Sequence, residues 1–387
     1  MLKRGALLVV VAIGVAVPAA LGQCPGYKGS PPSNLACEIA TTQPAYTAAA
    51  SGNQSALGAV GATMATQLSQ LPIATAASAA TTVWDPNIAT YRTVEDVGPI
   101  MTQRGDTIGK HKFLVSFSYQ RFAFDSIDGI DLTHINVVNQ YQSPGTLYSL
   151  RSEMRMDFRV DQFVPVVSYG LANNVDVSVV VPFSNVTLKT QRAAGNIFSA
   201  SSDGSLIYTT TSSTTTVGDL PSRYFVGGAS GIGDVIAGVK WKVAAPSDKT
   251  SIAIGTQVRF PSGNSYNYLG SGAWGIKPYV VWSRRTSRIT PNFDAAYQWN
   301  GTSPLYTDAI GSKLHLPGSV IYNGGADMKL ASKVSFSAEL LGQYVIDGPR
   351  VKVGTPDVPF AAPFGADIST LNQYRSSYTM NNLSLVF

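Results

Sequence analysis

The sequence predicts an all-β protein, an antiparallel transmembrane β-barrel of about 10–12 strands behind a partly helical N-terminal extension. Three observations predict it. Apolar and polar residues alternate with period two in segment after segment from Lys112 onward, with no long apolar run after the N-terminus. Short and long connections alternate between those segments, as in barrels with tight turns at one rim and loops at the other. Only 13% of residues are charged, about half of the roughly 25% usual in soluble domains, so the apolar content must be dispersed over one face of each strand.

Residues 1–22 read as a secretory signal peptide: Lys3 and Arg4 precede an apolar stretch from Ala6 to Val17, and Ala20-Leu21-Gly22 offers small residues for cleavage before Gln23. Cys24 makes lipidation the competing reading, with Gln23 standing where Gly, Ala or Ser is usual. The apolar run is too short to cross a bilayer as a helix. Cys24 and Cys37 are the only two cysteines, and outside the cytoplasm they are expected to pair. The formal charge of +5, less the two charges of Lys3 and Arg4, is +3, a balance that does not point to nucleic acid.

Residues 23–110 form the expected extension, a possible plug. Ala48 to Leu71 suits one helix with Leu57, Val60, Met64, Leu68 and Leu71 on a single face, ended by Pro72; residues 73–110 read as irregular. The barrel is expected over 111–387, with strands near 112–123, 152–170, 174–186, 232–244, 250–261, 274–285, 288–300, 318–331, 333–346 and 378–387. Links near 171–173, 245–249, 286–287 and 332 are short; those near 124–151, 187–231, 262–273, 301–317 and 347–377 are long. Leu383, Leu385 and Phe387 end the chain in an aromatic strand of the kind that barrel-assembly machinery reads.

The charged row at 151–161 is the clearest strand. Arg151, Glu153, Arg155, Asp157, Arg159 and Asp161 share one face, and Met154, Met156, Phe158 and Val160 the other. Polar faces turned inward would place these six with Asp234, Lys240 and Arg259 on the lumen wall, joined by Lys242, Lys329, Asp176, Asp294, Asp327 and Glu339 in near charge balance. Such a wall either lines a path or fills a narrow lumen. Trp241, Trp282, Tyr297 and Trp299 are expected outside, in the interfacial girdles.

Ser230-Gly231-Ile232-Gly233-Asp234-Val235 followed by Gly238-Val239-Lys240-Trp241 resembles a recurrent motif of one barrel family, the outer-membrane transporters named for the meta-pathway of phenol degradation. Arg259-Phe260-Pro261-Ser262-Gly263-Asn264, Leu269-Gly270-Ser271-Gly272 before Pro278, and Tyr322-Asn323-Gly324-Gly325-Ala326 fit its later strands and loops in order. The resemblance spans roughly 110–387; the family usually continues for about two more strands, as an even-stranded barrel can. It implies residence in the bacterial outer membrane, among outer-membrane lipid and lipopolysaccharide, and passive uptake of small hydrophobic or aromatic solutes. The alternative is a structural or adhesive barrel without transport.

An outer-membrane hydrolase would need a Ser and a His held together, and no nearby Ser/His pair on a strand suggests one, so no enzyme is expected. His111, His134 and His315 lack metal-ligand spacing, so no metal or other cofactor is expected. The Gly231-Ile232-Gly233-Asp234 run is not followed by a helix or a Lys-Ser/Thr pair, which argues against a phosphate loop.

Overall fold

The computed structural model of the chain describes residues 34–41, 56–69, 71, 81–85, 90–94, 102–143, 146–193, 196–201, 206–207, 222–247, 249–286, 289–307, 313–331, 334–354 and 370–386. The predicted signal peptide and Cys24 lie outside them. Cys37 falls in a described helix, but its side chain, and with it the expected pairing, does not.

Among the described residues, fifteen strands join one antiparallel sheet. They group into ten staves. The first holds β1 (Phe113–Phe124) and β2 (Ile135–Ser143), and the second is β3 (Thr146–Ala172). The third is broken into β4 (Val175–Val180), β5 (Phe183–Arg192) and β6 (Asn196–Ser201), and the fourth into the two-residue strand Leu206–Ile207 beside β6, β7 (Arg223–Ile232) and β8 (Val235–Ser247). Six unbroken staves complete the set: β9 (Thr250–Phe260), β10 (Gly275–Arg284), β11 (Ile289–Asn300), β12 (Ser319–Ala331), β13 (Val334–Gly354) and β14 (Thr370–Val386). Each pairs with the next, and β14 comes back against β2. The fold is that of an antiparallel transmembrane β-barrel, an architecture suited to lipid, which offers the backbone no partners.

The ten expected strands are all present, and several run further than expected toward the rim of long connections. The second stave spans 27 residues, where a tilted strand needs about 9–11 to cross the hydrocarbon. Residues 135–143, expected within a long link, form β2 beside its upper half.

Alternation shows in burial. Along β10, Ile276, Val280 and Trp282 face out while Val281 and Ser283 are buried; along β11, Phe293, Tyr297 and Trp299 face out while Asn292, Asp294 and Asn300 are buried. Trp241 is likewise on the outer face. Aromatics gather at two heights: Trp282 on Phe293 toward the short turns, and Phe260 on Trp274 with Tyr297 and Trp299 toward the long connections.

The row at 151–161 faces the opposite way from expectation. Phe158 and Val160 are 0% exposed and Met154 and Met156 nearly so, whereas the Arg155 and Arg159 side chains are 57% and 43% exposed. Glu153, Arg155, Asp157, Arg159 and Asp161 therefore lie on the outer face; the Arg151 side chain is outside the described residues. This half of the stave stands toward the long connections, where its outer surface is charged and its inner surface meets protein.

The protein it meets is the extension. Helices α1 (Leu35–Thr41) and α2 (Ala56–Ser69) pack inside the long-connection half. Residues 73–110, expected to be irregular, contain a β-hairpin pairing Thr81–Asp85 with Thr90–Val94. An irregular run, 102–110, leads from it toward β1, as expected. That run lies so close to the wall that a Cβ on Gly170 would stand 1.8 Å from the Gly109 carbonyl oxygen.

Facing can be tested by stability. Phe158→Ala is expected to cost about 3–5 kcal/mol, and Asp157→Ala, one position away on the outer face, within about 0.5 kcal/mol, as read by urea unfolding in lipid vesicles. Equal losses would reverse the faces.

Candidate functional site: the barrel interior

The interior has two layers. Toward the short turns it is polar, and residues 102–110 are tied into it. The Thr102 amide donates to Glu339 Oε2 (3.2 Å), and Arg104 pairs with Asp327 (3.3 Å). The Gly105 amide donates to Ser283 Oγ (2.8 Å), and the Ile108 amide to Asp176 (3.2 Å). Lys240 Nζ donates to the Asp106 carbonyl (2.6 Å) and lies 3.4 Å from Asp176. The expected inward charges Asp176, Lys240, Asp294, Asp327 and Glu339 thus do face in. Most of them hold the chain's own backbone.

At mid-height the motif segments converge. The polypeptide breaks at Val181-Pro182 in one stave and Gly233-Asp234 in the next, joined by the Gly233 amide donating to the Pro182 carbonyl (2.7 Å). Freed from the ladder, Asp234 turns inward. Its Oδ2 accepts from the Ser271 amide (2.7 Å) and hydroxyl (2.6 Å), and its Oδ1 from the Gly263 amide (3.2 Å). Ser262 Oγ donates to the Gly233 carbonyl (2.9 Å) and accepts from the Val235 amide (2.9 Å). The 261–274 loop is thereby clasped to the wall. Gly270 is required there, since a Cβ would fall 2.2 Å from Asp234 Oδ1.

Arg259 links this clasp to the extension. It lies 3.8 Å from Asp234, donates from Nη2 to Asn300 Oδ1 (2.7 Å), and donates from Nη1 to the Ser69 carbonyl (2.6 Å), the last residue of α2. A cation against the carbonyl end of a helix is favourable on both hydrogen-bond and dipole grounds. At the other end of the extension, the Leu35 amide donates to Asn267 Oδ1 in the same loop (3.1 Å).

Above lies an apolar chamber that α1 and α2 fill. Met154, Met156, Phe158, Val160, Val186 and Leu188 form its wall, and Leu35, Ile39, Val60 and Met64 of the helices pack against them. Val60 and Met64 are the residues the helical spacing selects; the described helix begins at Ala56. Tyr268, in a left-handed conformation (φ 57°), sets its ring edge-on to Phe158 at 5.3 Å. Burial pushes its hydroxyl well above the usual range, so it stays neutral.

Of the nine residues expected on the lumen wall, Asp234, Lys240 and Arg259 meet there. Glu153, Arg155, Asp157, Arg159 and Asp161 do not, because their stretch of the second stave turns its apolar side to the helices. The chamber residues were legible as an alternating apolar row, but their side of the wall was not. The histidines lie apart: His111 Nδ1 is 2.9 Å from the Tyr169 hydroxyl, His134 is 3.7 Å from Asp131, and His315 is beside Trp299.

No protein-family model matches the chain, and no curated protein does. Among solved structures, that of a Pseudomonas aeruginosa FadL homologue aligns with 70% of this chain and 87% of its own, at 7% identity and a TM-score of 0.26. A superposition of that quality carries no argument about function.

Removing Arg259 leaves Asp234 buried without its cation. Arg259→Ala is expected to cost about 3–5 kcal/mol and to speed amide exchange in α2 and the 261–274 loop more than in β10 or β11. Unchanged exchange in α2 would show that Arg259 does not hold the helix.

Proposed function

We propose that the protein is an outer-membrane channel for passive uptake of small hydrophobic or aromatic compounds, with the N-terminal extension as its plug. The observation that carries this is the apolar wall inside the long-connection half, now covered by α1 and α2. A general aqueous pore needs a polar, hydrated wall; here the wall is Met154, Met156, Phe158, Val160 and Leu188.

The energetics favour one solute class. An aromatic ring burying about 150 Å² gains about 4 kcal/mol at about 25 cal/mol per Å². A sugar entering the same chamber loses water from each hydroxyl, at about 1–3 kcal/mol apiece without a replacement partner. Methionines suit solutes of varied shape, because their unbranched chains adapt. The solute takes the place of contacts that α1 and α2 now make, so passage requires those helices to shift while residues 102–110 stay seated on Asp176, Lys240 and Asp327. The long connections face outward in this reading and the short turns face the periplasm.

The family resemblance points to the same solutes. Insertion by the barrel-assembly machinery and a surround of lipopolysaccharide belong to the same proposal.

The test is entry into vesicles with a lipopolysaccharide-containing outer leaflet, comparing toluene or phenol analogues with a sugar of similar size. Faster entry of the aromatic solute is expected, reduced about tenfold or more when Met154 and Met156 are both changed to Gln. Deleting residues 34–71 should raise conductance and admit the sugar. Equal entry of both solutes through the intact protein would make it a general pore; entry of neither, before and after deletion, would favour a structural barrel.

A further inference from the structure

The outward charged row plays no part in solute uptake, and its surroundings say what it meets. Strand register sets four staves side by side at this height. Tyr119, Phe163, Phe183 and Ile232 stand in one row across them, all on the outer face and all exposed. The next outward row toward the long connections is Arg121, Asp161, Asn185 and Ser230; the one beyond it is Ala123, Arg159, Thr187 and Gly228; Asp157, Lys189 and the exposed Val226 come after. One pleat repeat, about 6–7 Å, therefore separates a continuous apolar row from a continuous polar one. That is the step from acyl chains to headgroups.

The polar rows are organised. The Tyr119 hydroxyl donates to Asp161 Oδ1 (2.6 Å), which lies 3.6 Å from Arg121 Nε. Arg159 donates from Nε (2.9 Å) and Nη2 (3.0 Å) to the two oxygens of Asp157, and Lys189 lies 3.8 Å from Asp157. The carboxylates brace the cations from the side. Two of the five N–H donors of Arg159 are used in this way, and its side chain is 43% exposed. Ala123, Thr187 and Gly228 are short, so nothing on the neighbouring staves covers Arg159 at its own height. The inner partners of these positions, Phe158 and Val160, are fully buried, so the strand cannot turn the row inward.

We propose that Arg121, Arg159 and Lys189 form a binding shelf for the phosphate of a phosphorylated outer-leaflet glycolipid, of the lipopolysaccharide type, whose acyl chains lie on Tyr119, Phe163, Phe183 and Ile232. Charge complementarity and continuity with the apolar row select this occupant. A soluble anion has no use for the apolar row, and a neutral lipid none for the cations. The assignment rests on the long connections facing outward, as in the channel reading, while the interior that passes solute is on the other side of the wall.

The test is lipid retention by the folded full chain in detergent, read by native mass spectrometry. The probes are diphosphoryl lipid A and the same acylated disaccharide without phosphate. The protein should hold the phosphorylated lipid about tenfold or more in preference, a difference of about 1.4 kcal/mol. Combined Arg121→Ala, Arg159→Ala and Lys189→Ala should bring the preference within about twofold, and combined Arg121→Lys and Arg159→Lys should largely keep it. Circular dichroism and heat-shifted gel mobility check folding, and if the triple Ala variant does not fold, Arg159→Ala and Lys189→Ala made singly carry the test, each expected to weaken the preference about threefold. No preference in the unchanged protein, or a preference surviving the triple change, overturns the proposal. So does a preference abolished by chelating divalent cations, since the carboxylates would then bind through metal. Solute entry is expected to be unaltered in these variants, so failure of the shelf and failure of the channel are distinguishable.

Discussion

Hydrocarbon offers no partner for a backbone N–H or C=O, and the rest of this structure depends on that. The sheet must return on itself, so it has an inside and an outside, and alternation assigns every second residue to each for the whole length of a stave. A 27-residue strand then crosses three surroundings without changing face. Its odd-numbered outward residues are apolar at Phe163 and Val167 and charged at Arg159 and Arg155. Its even-numbered residues meet the polar layer at Ser168 and the helices at Phe158 and Met156.

The interior is therefore not a uniform tube. A layer of carboxylates and cations grips an irregular run of main chain, and an apolar layer receives two helices. The clasp at Asp234 stands between them, binding a loop on one side and, through Arg259, the end of α2 on the other. The Pro182 and Gly233 breaks are what make it possible. A proline cannot donate to the ladder and a glycine can bend out of it, so a carboxylate is released from the wall at mid-height.

The barrel was legible because period two and the spacing of turns are local properties. Trp241, Trp299 and the alternation over 250–300 were placed on the correct faces by lipid, which demands apolar residues outside. The row at 151–161 was not, because toward the long connections that demand lapses and the same alternation is compatible with either side. What decides it is Val60 and Met64, some ninety positions earlier, whose docking no local pattern records. Residues 135–143 were missed for a related reason: Ile135 to Ser143 lies toward the long connections and has no clean apolar face. The Asp234 clasp was visible as three glycine-rich motifs in order, but only the fold brings Gly263 and Ser271 to one carboxylate.

The run at 102–110 continues directly into the first stave, while the helices that precede it lie at the opposite end of the same lumen. The extension therefore meets the wall at two heights, by polar contacts to Glu339, Asp327 and Asp176 at one and by apolar side chains at the other. The two sets of contacts share no residue, so losing one leaves the other intact.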